Sequence, residues 1–313
     1  MKKVLISLCS SLMFFLFQVQ PGLCWGSAVH AYVADHLGKK IPLLNVNEVY
    51  GAMAPDVFNY MFDNPALQQT LVMGTHYEST KVWEAAKFPT GKALAFGFVC
   101  HNELFGADHT AHLALVPGYP NGYVIEKATI LRDKPTPALG GGSFGLILTQ
   151  NGITDPDVQL TICHTLTEFG LDVMMKRVDP RIGQKMASAA LLRSSEMPLL
   201  LVKAYGDAFP DKATAAKVIF AAEQEFRKSL VLYGQALTQD DQAAVQLLAE
   251  QLAQMSASYL ALYKINVDPN QIVPLIQLGM GIAMENCQGD FVQAISETVQ
   301  YVDQQMKTNQ IQY

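Results

Sequence analysis

Apolar residues recur at intervals of three and four along most of the chain, which is the period of one face of an α-helix. The pattern predicts four helices in the first part of the chain, at 29–37, 47–53, 92–115 and 157–178. Five further amphipathic helices are predicted at 184–205, 212–237, 240–263, 271–286 and 291–307. No stretch alternates apolar and polar residues between hairpin turns, as a half-buried strand would. We therefore expect an all-α fold, a multi-helix bundle.

Turn-forming residues divide the predicted helices. Asp211 and Thr238 stand where N-caps are expected. The segment 116–144 contains four prolines and three consecutive glycines, which predicts a long irregular loop. Such a loop is either a lid or rim over a functional site or an inert surface excursion. Breaks between helices are expected at Pro210, Pro269 and Gly289.

The N-terminal residues have the pattern of an export signal. A basic start is followed by an apolar stretch at 4–19 and by small residues before Trp25, which predicts cleavage between Cys24 and Trp25. The apolar run is shorter than the ~20 residues of a membrane anchor. A lipoprotein acylated at Cys24 is the competing interpretation, but Pro21 and Leu23 suit that motif poorly. We expect a signal peptide at 1–24 and an exported protein, either secreted or periplasmic.

Charge and cysteine content restrict the function classes. The chain carries a net charge of −6, and loss of a signal containing Lys2 and Lys3 makes it more negative. An acidic protein offers no electrostatic footprint for a polyanion, so stable nucleic-acid binding is not expected. Three cysteines remain beyond the signal, too few for a full disulfide framework. A disulfide between Cys100 and Cys163 and a pair of buried free thiols both remain open.

All seven histidines lie between His30 and His164, most of them in helical register with a carboxylate. Residues seven and eleven apart share one helical face, so a helix at 92–115 would project His101, Asp108 and His112 together. Its apolar flanks predict burial, and buried polar groups must be paired or bound to metal.

A second helix and two turns supply further candidate ligands. His164 and Glu168 are four residues apart and therefore adjacent on one helix. Asp56 and His76 lie at turn-like positions beside a proline or glycine. Imidazole and carboxylate together are the ligand set of zinc. We expect a metal site in a cleft between helices, within a metal-binding part at 25–180 onto which the helices of 181–313 pack.

The order of these residues resembles that of the zinc-dependent phospholipase C family and the related single-strand-specific nucleases. The resemblance covers roughly 25–168. It is carried by Trp25-Gly26-x-x-x-His30, Pro55-Asp56, Gly74-Thr75-His76, the histidine and aspartate segment, and His164-x-x-x-Glu168.

The resemblance implies an exported, all-helical enzyme with two or three zinc ions. It implies a first zinc held by Asp56, His76, His101 and Asp108. A second would be held by His112, His164 and Glu168. A third would take the α-amine and carbonyl of Trp25, with His30 and a bridging Asp108. The gaps between His101, Asp108 and His112 are seven and four residues rather than the family's four and six, so the assignment of this segment to individual ions stays open. His36 and His109 are left outside the ligand set.

The implied activity is hydrolysis of a phospholipid phosphodiester by a metal-activated water, releasing diacylglycerol and a phosphorylated head group. Asp56 is the candidate for orienting or deprotonating that water. The partners expected are a phospholipid or other phosphodiester substrate and a transient membrane surface. The alternatives are a zinc phosphodiesterase or nuclease, and a zinc-binding interaction protein without activity. Candidate exposed aromatics at the rim are Phe58, Tyr60, Phe62, Tyr119 and Tyr123; a buried stripe containing Phe58 and Phe62 is the competing interpretation.

Overall fold

A computed structural model describes residues 25–61, 64–113, 118–262 and 268–313. The predicted signal peptide, its cleavage point after Cys24 and the possible acylation of that cysteine lie outside the described residues. Within the described ranges, no helix is both long enough and apolar enough to cross a membrane.

The described chain is 79% helical and contains fifteen α-helices and no strand, which confirms the all-α prediction. The first eight are α1 (Ser27–Leu37), α2 (Pro42–Met53), α3 (Pro65–Tyr77), α4 (Thr80–Ala85), α5 (Pro89–His101), α6 (Ala107–His112), α7 (Tyr123–Asp133) and α8 (Phe144–Gln150). The others are α9 (Pro156–Val178), α10 (Ile182–Leu192), α11 (Glu196–Tyr205), α12 (Lys212–Leu237), α13 (Asp241–Leu262), α14 (Pro269–Cys287) and α15 (Phe291–Thr308). Short 3₁₀ helices form at Ala54–Tyr60, Pro137–Leu139 and Gly206–Ala208.

The single helix predicted at 92–115 is wrong, because the chain breaks between α5 and α6. The side-chain Oδ1 of Asn102 accepts hydrogen bonds from the backbone N–H groups of Leu104 at 2.8 Å and Phe105 at 2.9 Å. Asparagine competes in this way with the helical hydrogen-bond ladder, and here it closes a turn. The histidines on either side of the turn therefore approach one another through tertiary packing and not along one helical stripe.

Two other predicted segments also differ from the structure. The helix expected at 184–205 divides into α10 and α11, where the Ser194 N–H donates to the side chain of Asn47 at 2.7 Å. The irregular segment 116–144 contains α7, since its prolines lie on both sides of 123–133 and leave that stretch free to form a helix. Helices α3, α4 and α8 were not predicted.

The helix ends show which cap predictions hold. Asp211 caps α12, accepting a hydrogen bond from the Thr214 N–H at 2.9 Å, as predicted. Thr238 lies at the C-terminal end of α12, so its prediction as an N-cap is wrong. Asp240 instead accepts from the Ala243 N–H at 2.8 Å. Pro269 is the first residue of α14, where a missing N–H costs no helical hydrogen bond.

Helices α2 and α5 make the most extensive contact between helices, and their backbones touch. A Cβ added at Gly51 would lie 2.0 Å from the Leu94 carbonyl oxygen, and one added at Gly97 would lie 1.9 Å from that of Glu48. Only glycine permits this approach. It brings the end of α5 against α2, where the Nδ1 of His101 lies 2.8 Å from the Ala52 carbonyl oxygen.

The C-terminal helices cover the first part of the chain. Helix α9 packs against α7, α13 and α14, while α12 packs against the 3₁₀ helix Ala54–Tyr60 and α15 against α1 and α6. The buried apolar side chains form one contiguous core. Cys100, Cys163 and Cys287 are buried free thiols, so the disulfide left open above is not formed.

The α2–α5 contact predicts opposite outcomes for two glycine substitutions. Gly97→Ala should lower the free energy of unfolding by roughly 1–3 kcal/mol, because the added methyl group overpacks a backbone contact. Gly281→Ala is the control, since that glycine lies within α14 and nothing lies within 4 Å of its Cβ position. The control should be stabilised by about 0.5–1 kcal/mol. Urea denaturation measures both, and stabilisation of both variants would contradict a tight α2–α5 contact.

Candidate metal centre

Five elements bring imidazoles and carboxylates to one place in the interior. The residues are His30 on α1, Asp56 on the 3₁₀ helix, His76 at the end of α3, His101 at the end of α5 and Asp108 at the start of α6. Four of them are buried, and Asp56 has 13% of its side chain exposed. His76 lies in the last turn of a helix rather than in the turn predicted for it.

His76 and His101 point the same ring nitrogen, Nε2, at each other. The Nδ1 of His76 lies 2.8 Å from the Val72 carbonyl oxygen, and that of His101 lies 2.8 Å from the Ala52 oxygen. A carbonyl only accepts, so each Nδ1 carries a proton and each neutral ring keeps its lone pair on Nε2. The two Nε2 atoms are 3.2 Å apart. Facing lone pairs repel, so this arrangement calls for a positive charge between them, either a proton or a metal ion.

Asp108 bridges this histidine pair and His30. Its Oδ2 lies 2.9 Å from the Nε2 of His101 and 3.7 Å from that of His76. Its Oδ1 lies 3.1 Å from the Nε2 of His30. The Oδ1 of Asp56 is 3.7 Å from the Nε2 of His76. A tetrahedral ion with bonds of ~2.0–2.1 Å separates its ligand atoms by ~3.3 Å, close to these spacings.

Two overlapping sets of three residues therefore have ligand atoms within 4.8 Å of one another: His30, His101 and Asp108, and Asp56, His76 and His101. Both oxygens of Asp108 and both ring nitrogens of His30 are buried and, within the described part of the chain, lack a hydrogen-bond partner of suitable alignment. Buried polar atoms without partners are costly, and a cation would satisfy the carboxylate of Asp108 and the one nitrogen of His30 that carries a lone pair. These residues fit a metal ion.

The electrostatics of the cluster agree with that fit. Burial lowers the pKa of His30 to about 4 and that of His76 to about 3, which keeps both rings in the neutral, metal-binding form. Burial also acts to lower the pKa of His101, but Asp108 and Asp56 outweigh it and raise that pKa to about 9. The carboxylates thus create a potential that favours positive charge at this point.

A second histidine pair repeats the arrangement. The Nε2 atoms of His112 and His164 are also 3.2 Å apart. Carboxylates take the place of the carbonyls: Glu103 Oε1 lies 2.8 Å from the Nδ1 of His112, and Glu168 Oε1 lies 2.7 Å from the Nδ1 of His164. Burial acts to lower the pKa of His112, but Glu103 outweighs it and raises that pKa, whereas burial and the neighbouring His112 lower the pKa of His164 well below its usual value.

The remaining predicted residues take different positions. The Oε1 of Glu168 lies 2.7 Å from the Nδ1 of His164, the ring nitrogen that does not face His112, and the role of Glu168 as a ligand stays a prediction. The indole of Trp25 is buried and donates from Nε1 to the Thr110 hydroxyl at 2.9 Å. The role implied for its α-amine depends on signal cleavage and stays a prediction. The Nδ1 of His109 lies 2.8 Å from the Glu103 carbonyl oxygen, outside the cluster.

Sequence reasoning missed two residues that hold the ligands in place. One is Glu103. The other is Asp172, one helical turn beyond Glu168, which accepts from the N–H groups of Ala28 at 3.0 Å and Val29 at 3.3 Å. It thereby caps α1, the helix that carries His30. Its signal was the continuation of the four-residue spacing that joins His164 to Glu168.

The apolar residues beside the site are not the predicted ones. Phe58 and Tyr123 are buried, which contradicts a rim position for them and agrees with a buried Phe58. The hydroxyl of Tyr60 donates to Ser229, and that of Tyr119 donates to Asp290. Phe62 lies outside the described residues. The exposed apolar side chains next to site residues in the chain are Tyr77, Leu104 and Leu113, exposed by 44%, 54% and 47%.

Comparison of the chain with protein-family models, with curated proteins and with solved structures gave no match in any of the three. The function of the site is therefore argued from its own residues.

The cap formed by Asp172 predicts a large effect on stability. Asp172→Ala leaves two buried N–H groups unsatisfied at the start of α1, and each such group costs about 1–3 kcal/mol. Asp211→Ala, which removes the cap of α12 at an exposed position, is the control and should cost less, since water replaces the lost partner. Chemical denaturation of the metal-free protein measures both. Equal losses would show that Asp172 is no more important than a surface cap.

The bridging position of Asp108 predicts that its charge is needed for cation binding. Zn²⁺ should raise the Tm of the wild-type protein, because a ligand that binds only the folded state stabilises it, and Asp108→Asn should abolish that rise. Without metal the variant should unfold no more easily than the wild type, since a buried charge has been removed. Asp303→Asn, an exposed aspartate paired with Lys307, is the control. An undiminished Zn²⁺ effect in Asp108→Asn would contradict the bridging role.

Proposed function

We propose that this protein is an exported zinc-dependent phosphodiester hydrolase of the phospholipase C type. The observation that carries the proposal is the pairing of histidines: in each of two pairs, the outer nitrogens face oxygen atoms and the inner nitrogens face each other at 3.2 Å. Zinc is favoured over other cations because the ligand set combines imidazoles with a few carboxylates. The order of the ligands along the chain, which resembles that of the phospholipase C family, supports the same assignment.

Two sets of residues would hold two separate metal ions. One ion would be held by His76, His101, Asp108 and Asp56. The other carboxylate oxygen of Asp108 faces His30. His112 and His164 would hold another. When bound, zinc lowers the pKa of a coordinated water and neutralises charge on the phosphate oxygens as it builds up in the transition state.

Asp56 is the residue we assign to the attacking water. It is the most exposed member of the first cluster, with 13% of its side chain accessible, and we infer that substrate approaches from its side. The side-chain amide of Asn59 donates to its Oδ1 at 3.1 Å and fixes its orientation. Burial raises the pKa of Asp56 to about 7, and a bound cation would lower that pKa. As a zinc ligand its carboxylate would therefore orient the water by accepting a hydrogen bond from it.

Lipid is favoured over nucleic acid on two grounds. Tyr77, Leu104 and Leu113 are exposed apolar residues that directly follow His76, Glu103 and His112 in the chain, and we propose that they form an apolar rim. An apolar rim suits acyl chains, whereas a nuclease needs cations along the backbone path. The net charge of −6 also disfavours a polyanionic substrate. The export signal predicted at 1–24 places such an enzyme outside the cytoplasm.

Loss of one histidine of the His112–His164 pair should remove the activity. His112→Ala should lower phosphodiester hydrolysis by at least ~100-fold, because even partners outside the ligand shell contribute 10–100-fold. His36→Ala changes an exposed histidine and is the matched control. Circular dichroism should show the same helix content in both variants. Removal of zinc by a chelator should abolish wild-type activity, and full activity in zinc-free protein would exclude the mechanism.

The substrate assignment is tested by comparing turnover of phosphatidylcholine vesicles, phosphatidylglycerol vesicles and single-stranded DNA. We expect a lipid to be hydrolysed fastest, and Leu104→Gln to slow vesicle hydrolysis while sparing a soluble short-chain phosphodiester. Faster turnover of DNA would replace the phospholipase with a nuclease. Bound zinc without turnover of any of these substrates would favour a non-enzymatic zinc-binding protein.

A further inference from the structure

Glu103 contacts three histidines through three different groups. Its backbone N–H donates to the His76 carbonyl oxygen at 3.0 Å, and its carbonyl oxygen lies 2.8 Å from the Nδ1 of His109. Its carboxylate Oε1 lies 2.8 Å from the Nδ1 of His112. The residue stands in the turn between α5 and α6, the same turn that breaks the helix expected from the sequence. A single residue thus links the end of α3 to both histidines of α6.

The contact with His112 decides which nitrogen of that ring is available. A carboxylate facing Nδ1 favours a proton there and leaves the lone pair on Nε2, which is the atom 3.2 Å from His164. The side chains of His112 and Glu103 are only 13% and 12% exposed, so little water competes for the contact. A carboxylate in this position also makes the imidazole a stronger metal ligand.

The turn explains how this chain accommodates its unusual spacing. Six residues lie between His101 and Asp108, and an uninterrupted helix over that interval would have no turn residue to place beside His112. Asn102 closes the turn by accepting two backbone N–H groups, and the Gly106 N–H donates to the Asn102 carbonyl oxygen at 3.0 Å. A Cβ at Gly106 would lie 2.5 Å from the Asn102 nitrogen, so the turn is tightly closed. The extra residues between the ligands therefore supply Glu103.

We propose that Glu103 is a positioning residue that holds His112 with its Nε2 toward His164 and thereby sets the affinity of this histidine pair for a metal ion. The proposal rests on the proposed function, since it assumes that the pair binds zinc. It assigns Glu103 no contact with substrate. The Oε1 of Glu168 lies 2.7 Å from the Nδ1 of His164, but within the described residues that nitrogen has no aligned hydrogen-bond partner, so the role of Glu103 is not duplicated there.

The experiment measures Zn²⁺ binding by competition with a chromophoric chelator, using the whole protein. Glu103→Ala should weaken one Zn²⁺ site about 10–100-fold and leave the other close to wild type. Glu103→Gln keeps an oxygen that accepts from Nδ1–H and should recover part of the loss. Glu84→Ala, on the exposed side of α4, is the matched control and should bind as the wild type does. Tm of the metal-free variants shows whether the fold itself has changed.

A second measurement separates positioning from general stability. Nitrogen-15 NMR of the histidine rings should show the His112 proton on Nδ1 in the wild type and a mixture of tautomers in Glu103→Ala. Wild-type Zn²⁺ affinity at both sites in Glu103→Ala, or an unchanged tautomer, would overturn the proposal. If the wild-type protein itself bound no Zn²⁺, the proposed function would fail and the affinity role of Glu103 with it. The tautomer would then still show whether Glu103 orients His112.

Discussion

The buried carboxylate of Asp108 is the constraint around which the first part of the structure is arranged. A buried charge is tolerated only when opposite charge or hydrogen-bond donors surround it. Here His30 lies on one side and His101 and His76 on the other, and each comes from a different helix. The ends of α1, α3, α5 and α6 thus meet at a single carboxylate, whose charge must be balanced by the histidines or by a bound cation.

The packing elsewhere serves to bring these helices close enough. The glycine contact between α2 and α5 lets the Ala52 carbonyl reach His101, and a larger residue at either glycine would withdraw it. The Asp172 carboxylate reaches across from α9 to hold the start of α1. Neither device touches the candidate ligand atoms: the Ala52 carbonyl contacts the outer nitrogen of the His101 ring, and Asp172 holds the backbone of the helix that carries His30. The orientation of the imidazoles is thus set by backbone groups and carboxylates behind them.

Much of the fold and of the ligand set could be predicted from the sequence, since helical periodicity and histidine position are local properties. Helix α12 runs over the residues that its apolar pattern indicated, and Asp211 caps it as expected. The turn at Asn102 could not be predicted from periodicity, because a side chain that competes for backbone N–H groups leaves the apolar pattern unchanged. The sequence predicted that His101 and Asp108 lie close together because they share one helical face. They do lie close together, but tertiary packing across the Asn102 turn brings them there. Glu103 and Asp172 were missed because their partners are distant in sequence or lie across that turn.

Helix α9 carries His164, Glu168 and Asp172 on successive turns of one face. His164 belongs to the His112–His164 pair, and Glu168 contacts it. Asp172 holds the start of α1, and His30 on that helix stacks on His101 of the other pair. A helix transmits a displacement along its length because its backbone hydrogen bonds make it nearly rigid. A shift of α9 that changed the His112–His164 separation would also move the cap of α1. One rigid helix therefore contacts the surroundings of both pairs, and any free energy that linked them would act equally in both directions.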